Sequence, residues 1–363
     1  MLPIAAVALC VAAAWVVLSR ASVLADRLGL IDRPDGQRKI HARPTPRIGG
    51  VALMAALAVL ALVSCAIGGA PDRLVVSGFL LVLFHFALGA VDDRCGLRAS
   101  SRLLLSIAAC GAMLAFNDEL VIRTIEIGGW SFALPPVTAF ILTVLGVVFF
   151  IFSVNLMDGR NGILGANALW WLVLLEVTTG IMPIWVFTGL IGSLLLFLRL
   201  NLRGQLFAGD AGAYVVGSGA ALFALTLHGR HPHALAFDQA MVVFLLPMLD
   251  AARVLIRRTW LHMAPFKADD THLHHVLWRR AGDRLAERLY VGAIVVPSTF
   301  AMLVPGLAAA ILAAAAGFFF LLVYWPVERA GALDDTRMGR SMPRQRVLVP
   351  VSNPPQRRHR HGD

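Results

Sequence analysis

Two adjacent carboxylates, Asp92 and Asp93, close the apolar run Phe86-Ala-Leu-Gly-Ala-Val-Asp-Asp-Arg94. Acidic side chains are costly at the edge of hydrocarbon, so a neighbouring pair there requires a partner. One cation nearby keeps both ionised and lets them serve as metal ligand and general base. Four further clusters share this chemistry. The first loop, Arg38-Lys-Ile-His-Ala-Arg-Pro-Thr-Pro-Arg-Ile-Gly-Gly50, sets cations and a histidine between prolines and ends on two glycines. Asn155-Leu-Met-Asp-Gly-Arg-Asn-Gly162 supplies the hard oxygen donors Asn155, Asp158 and Asn161, suited to magnesium or a sugar hydroxyl. Phe207-Ala-Gly-Asp-Ala-Gly212 offers backbone N–H groups to a phosphate and Asp210 to the cation that accompanies it. Last come Asp250, Arg253, Arg257 and Arg258, then the loop Ala264-Pro-Phe-Lys-Ala-Asp-Asp-Thr-His-Leu-His-His275 with Lys267 and Arg279, a set that fits a diphosphate clamp better than a metal site. Each cluster alone reads equally well as a turn, a cap or a basic loop. Their common placement favours a magnesium–diphosphate site.

The elements that must position these clusters are membrane helices. Of the 363 residues 58% are hydrophobic and 15% charged, with a mean hydropathy of +0.74, far more apolar side chain than a soluble core uses. Apolar runs long enough to span about 30 Å of hydrocarbon fall at 4–19, 49–67, 74–90, 103–116, 137–154, 163–179, 183–198, 211–227, 240–256, 290–303 and 307–325. The expected fold is therefore an all-α polytopic membrane protein of about eleven helices, with its site in the cytoplasmic loops. No Lys or Arg precedes the first run and Arg20 follows it, the reverse of a cleavable signal peptide, so that helix stays with its N-terminus outside. In this orientation 29 of the 32 Lys and Arg face the cytoplasm, leaving Arg73, Arg123 and Arg230 outside. All five clusters share that cytoplasmic side.

The net charge of +10 is then mostly a topological signal, with attraction to anionic lipid and phosphate substrates, and implies no nucleic acid. Cys10, Cys65 and Cys110 lie in apolar runs and Cys95 in a loop, without a C-x-x-C pair, so neither a disulfide framework nor a zinc site is expected. Residues 121–132 alternate in polarity and break at Gly128-Gly129, predicting a small external hairpin. Two parts are expected: a transmembrane domain over 1–326 and a basic cytoplasmic tail over 327–363, rich in Arg, Pro, Gly and Ser and disordered.

From about Arg27 to His275 the chain resembles the polyprenyl-phosphate N-acetylhexosamine-1-phosphate transferases. The motifs that carry the resemblance are Arg38-Lys39-x-His41-x-x-Pro44-x-Pro46-Arg47-x-Gly49-Gly50, Asp92-Asp93, Asn155-x-x-Asp158-Gly159, Gly209-Asp210-x-Gly212 and His272-x-His274-His275, in the family's order. The resemblance implies transfer of HexNAc-1-phosphate from a UDP-N-acetylhexosamine to undecaprenyl phosphate in a bacterial inner membrane, with release of UMP and Mg2+ or Mn2+ as cofactor. It implies that Asp92 readies the lipid phosphate, that Asp93 supports it, and that Asn155 and Asp210 hold the metal. Asp158 would contact metal or nucleotide and Phe207 would stack on uracil. Arg38, Lys39, His41, Arg47, Arg102, Arg257, Arg258, His272, His274 and His275 would bind substrate.

Arg102 stands where the family usually has Lys, Asn161 where it often has a second Asp, and Ala213 where it often has Ser. The basic first loop and Pro265-Phe266-x-x-Asp269 resemble users of UDP-GlcNAc rather than of UDP-MurNAc-pentapeptide, the alternative donor. UDP-FucNAc- and UDP-QuiNAc-type donors stay open, as do a homodimer and the choice among O antigen, common antigen, teichoic acid and exopolysaccharide. A lipid-linked sugar transporter is the alternative of another class, but it would place polar groups near the midplane and show repeated halves, neither of which is seen.

Overall fold

A computed structural model describes residues 2–34, 43–68, 72–231, 234–263 and 271–324. The chain divides into Met1–Trp325 and Pro326–Asp363. The second unit, with the expected tail disorder, lies outside the described residues, as do Arg38, Lys39, His41, Pro265, Phe266 and Asp269. Thirteen α-helices make up the described fold: α1 (Leu2–Ser19), α2 (Ala21–Leu28), α3 (Gly49–Gly68), α4 (Arg73–Cys95), α5 (Ala99–Phe116), α6 (Pro136–Met157), α7 (Ile163–Thr179), α8 (Ile184–Leu202), α9 (Gly209–Arg230), α10 (Phe237–Trp260), α11 (Leu273–Ala281), α12 (Asp283–Leu303) and α13 (Ala308–Tyr324). Over its described residues each of the eleven apolar runs lies on one of them to within one residue at its start. Among the described residues nine helices are long and apolar enough to cross a membrane, ten if α1 and α2, bent by 70°, count as one span; α7 is a shorter apolar helix of 17 residues. The protein is an all-α, multi-pass membrane protein.

The helices run past the apolar stretches at one end of the bundle, where the chemistry lies. Helix α4 continues through Asp92 and Asp93 to Cys95, ending on Gly96, whose N–H bonds the Asp92 carbonyl. Helix α5 starts at Ala99 rather than Leu103, which puts Arg102 in its first turn. Most candidate side chains are therefore carried on helix ends and not in loops, where rigid backbone fixes their direction better.

Helix α9 is the central element. It packs on α3, α4, α6 and α7, and small residues set the spacing, as is usual where lipid supplies no hydrophobic drive between helices. Two crossings are especially close: an added Cβ would lie 2.4 Å from the Gly212 nitrogen at Gly50 of α3, and at Gly89 of α4 it would lie 2.5 Å from the Ala211 nitrogen and 2.6 Å from the Asp210 carbonyl carbon. Around this axis Phe150, Trp171 and Phe244 form a ring cluster with centroids 4.7–5.7 Å apart, and the Trp171 indole donates to the Val243 carbonyl at 3.1 Å. At the opposite end of the bundle the expected hairpin is present: β3 (Thr124–Ile127) pairs antiparallel with β4 (Trp130–Ala133) across Gly128-Gly129, following the short pair β1 (Ile31–Asp32) and β2 (Thr45–Pro46) at the site end.

Candidate active site

Four helix ends bring the central carboxylates together. Asp92, buried on the last turn of α4, accepts from the Leu97 backbone N–H at 2.7 Å and pairs with Arg102 from the first turn of α5. The same Arg102 Nη1 reaches Asp210 Oδ2 at 3.5 Å, so one guanidinium spans carboxylates on α4 and α9. Asp210 Oδ1 in turn accepts from the Asn155 amide of α6 at 2.9 Å. Asp93 points to the other side of α4, accepting from Ala211 N–H at 3.1 Å and from Arg47 at 3.3 Å, while Arg47 also pairs with Asp32. Gly209 stands directly over Asp93 with φ +70°, and a Cβ there would sit 2.5 Å from the Asp93 carboxylate. Only glycine meets both demands.

The chain around Arg47 is tied to the start of α9 by main-chain bonds. Phe207 N–H donates to the Pro46 carbonyl at 2.8 Å, Gly49 N–H to the Phe207 carbonyl at 3.0 Å, and Gly50 N–H to the Ala208 carbonyl at 3.0 Å. Phe207 is half-buried beside this ladder, at the mouth of the carboxylate cluster.

Asp158 follows α6 immediately. Burial pushes its carboxyl well above the usual range, and the neighbouring carboxylates of Asp210 and Asp93 push the same way. Its loop is held from two sides. Asn201 accepts from Gly162 N–H at 2.7 Å and donates to the Leu206 carbonyl at 3.0 Å, linking the two glycine-punctuated turns. From α11, His274 lies against Gly159 so closely that a Cβ would meet its Nε2 at 2.1 Å, and the Trp278 ring receives the Arg160 guanidinium 5.1 Å from its centroid. The histidine cluster is thus helical and not a loop: His272 precedes the first turn of α11 and His274 and His275 lie on it.

Asp250 anchors that helix. It accepts from His272 Nδ1 at 2.9 Å, from Leu273 N–H at 3.0 Å and from Arg253 at 2.8 Å, all within the protein interior. Burial, then His275 and His272, lowers the His274 pKa to about 3, so this imidazole is neutral and its two buried nitrogens have no hydrogen-bond partner among the described residues. Arg258 is buried whereas Arg257 is exposed. Of the residues predicted from sequence, the structure joins Arg47, Asp92, Asp93, Arg102, Asn155 and Asp210 through direct bonds, sets Asp158 and Phe207 beside them, and places His272, His274 and His275 across the Asp158 loop. Sequence reasoning missed the supporting role of Asn201, whose signal is an amide ending an otherwise apolar helix, and the tie from Asp250 to α11.

The donor set suits a hard divalent cation. Carboxylates of Asp93, Asp158 and Asp210 and the Asn155 amide offer oxygen, and Asp158, besides being buried, feels the negative charge of Asp210 and Asp93, which a cation would offset. Among the described residues no three His, Cys, Asp or Glu side chains form a ready cage.

The family model for glycosyl transferase family 4 matches residues 75–228. The chain is 28% identical over 270 residues to the undecaprenyl-phosphate alpha-N-acetylglucosaminyl 1-phosphate transferase of Escherichia coli strain K12, covering 70% of this chain and 71% of that protein. It is 28% identical over 290 residues to the decaprenyl-phosphate N-acetylglucosaminephosphotransferase of Mycolicibacterium smegmatis, covering 70% of each. A similar enzyme of Yersinia pestis, bearing the same name as the first, is 27% identical over 269 residues.

Proposed function

We propose that this chain, which is similar to glycosyl transferase family 4 over residues 75–228, is a phosphotransferase that moves N-acetylglucosamine 1-phosphate from UDP-GlcNAc to undecaprenyl phosphate, releasing UMP. The observation that carries this reading is the Asp92–Arg102–Asp210–Asn155 chain, in which groups from four helices converge at one end of a membrane bundle. Phosphoryl transfer asks little covalent chemistry of a protein and much positioning and charge balance. A site of this composition supplies both. The names of the relatives favour a GlcNAc donor and a polyprenyl acceptor.

In this reading Asp92 orients the lipid phosphate and accepts its proton, and Arg102 holds the acceptor phosphate between α4 and α9. Asp210 and Asn155 would hold Mg2+, with Asp158 close by and Asp93 fixing the start of α9. When bound, the ion supplies positive charge to the diphosphate oxygens. Phe207 gives uracil a stacking face. The α11 histidines, braced by Asp250, lie over the Asp158 turn, where the sugar–diphosphate end would rest. The 29 to 3 split of basic residues supports an inner-membrane protein with this site on the cytoplasmic side, where the nucleotide sugar is. The product begins a lipid-linked cell-surface polysaccharide.

The test uses purified protein with undecaprenyl phosphate, magnesium and a panel of UDP-sugars. UMP as the released nucleotide, with turnover abolished by EDTA and restored by magnesium, is the expected result. Release of UDP would mean sugar transfer without the phosphate and would overturn the reading.

A further inference from the structure

Beneath the carboxylate cluster, on its membrane side, four polar side chains present buried atoms with no hydrogen-bond partner among the described residues: Arg102 Nε, Ser106 Oγ, Tyr214 Oη and His85 Nε2. His85, Ser106 and Tyr214 are fully buried. Their placement is linked. The His85 and Tyr214 rings meet edge to face with centroids 6.3 Å apart. The Tyr214 phenol lies at the edge of hydrogen-bonding reach of the Arg102 guanidinium and within electrostatic reach of Asp210 and Asp92. Ser106 is one helical turn beyond Arg102 on the same face of α5, and Tyr214 one turn, about 6 Å, beyond Asp210 on α9.

The donors and acceptors are complementary. His85 Nδ1 is 2.9 Å from the Leu81 carbonyl, which can only accept, so Nδ1 carries the proton and Nε2 presents a lone pair. Arg102 Nε–H can only donate. The two hydroxyls can do either. One obligate donor, one obligate acceptor and two groups of both kinds are the partners a water molecule satisfies, and native proteins do not leave such groups dry.

We propose that His85, Tyr214, Ser106 and Arg102 form an internal water site that fixes the guanidinium plane of Arg102, and so the bridge from Asp92 to Asp210. Tyr214 and His85 are positioning residues for the transfer reaction. The catalytic part of this inference rests on the proposed function; the water site does not.

Two measurements test it. In steady-state assays Tyr214→Phe, which keeps the ring, is expected to lower kcat about tenfold, as for loss of a hydrogen bond to a charged group, with KM for the UDP-sugar and the melting temperature unchanged. Lysine has no Nε–H fork, so in an Arg102→Lys background the same change is expected to cost less than about twofold. Full additivity of the two losses overturns the link. Independently, a high-resolution experimental map of the wild-type protein is expected to show ordered water within hydrogen-bond distance of Arg102 Nε and Tyr214 Oη. A dry site there overturns the inference even if the protein transfers sugar phosphate, while wild-type protein that shows the water but no turnover overturns only the proposed reaction.

Discussion

Gly89→Ala separates helix spacing from chemistry at the active site. A methyl at this position would lie 2.5 Å from Ala211 N and 2.6 Å from both Ala211 Cα and the Asp210 carbonyl carbon. Ordinary contact begins at 3.4 Å, so relief demands that α4 and α9 part by about 0.9 Å. All three struck atoms are backbone, which leaves no flexible side chain to yield. The same displacement would stretch the 3.1 Å bond from Ala211 to Asp93 to about 4 Å and break the 3.5 Å contact from Arg102 to Asp210. A misplacement of about 1 Å typically costs about 10²-fold in rate, equivalent to about 2.7 kcal/mol of barrier, and overpacking costs about 1–3 kcal/mol of stability. UMP release under saturating substrates, beside thermal unfolding in nanodiscs, measures both. Gly146→Ala on α6 is the control, because its Cβ meets nothing within 4 Å and the variant should keep the wild-type rate. Gly89→Ala protein that is folded and turns over within about threefold of wild type would refute the claim that contact between these two helices sets the site.

Other outcomes follow from the same geometry. Asp210→Asn and Asn155→Ala should raise the magnesium needed for half-maximal rate, whereas Asn161→Ala should be milder; a metal titration with Asn161→Ala the most affected would move the proposed ligand set. Asp250→Ala should cost about 3–5 kcal/mol of stability by leaving Arg253 buried without its partner, with Asp250→Asn closer to wild type in chemical unfolding. His274, neutral in the fold with a pKa near 3 against 6.5 when unfolded, makes the unfolded state bind the extra proton between those values. Stability should therefore fall as pH drops below about 6.5, and His274→Asn should flatten that acid limb in melting curves taken at pH 7 and pH 5. An equal slope in both proteins would show that other groups set it.

Much of the architecture was legible because membrane helices announce themselves by length and hydropathy. Over the described residues all eleven apolar runs coincide with helices to within one residue at their starts, and the hairpin turns at its two glycines. The short helices α2 and α11 read as loop in the sequence because their eight and nine residues interrupt the apolar positions with Arg, Asp or His and are too few to span a membrane, and only packing keeps segments so short helical. The central site residues were legible as motifs, yet the role of Arg102 as the bridge between Asp92 and Asp210 depends on α5 starting four residues before the apolar run does. Asn201 and the tie from Asp250 to α11 are hidden for a different reason. They serve the site by holding main chain, through Gly162, Leu206 and Leu273, and partners separated by 5 to 39 residues leave no local pattern. His85 and Tyr214 look like ordinary members of apolar spans until the orphaned atoms are seen together.

The pairing of the two adjacent carboxylates also bears on how the chain is made. Arg47 lies 46 residues before Asp93 and Arg102 only 10 residues after Asp92, whereas the Ala211 amide comes 118 residues after Asp93. At a synthesis rate of about 5–20 residues per second, α9 arrives about 6–24 s after the aspartates do. During that interval one arginine already translated and one translated almost at once can neutralise the pair, so α4 and α5 can enter the bilayer as a charge-balanced hairpin. Both partners of the acidic pair that carry charge are thus close to it in order of synthesis, and only the backbone tie to α9 must wait.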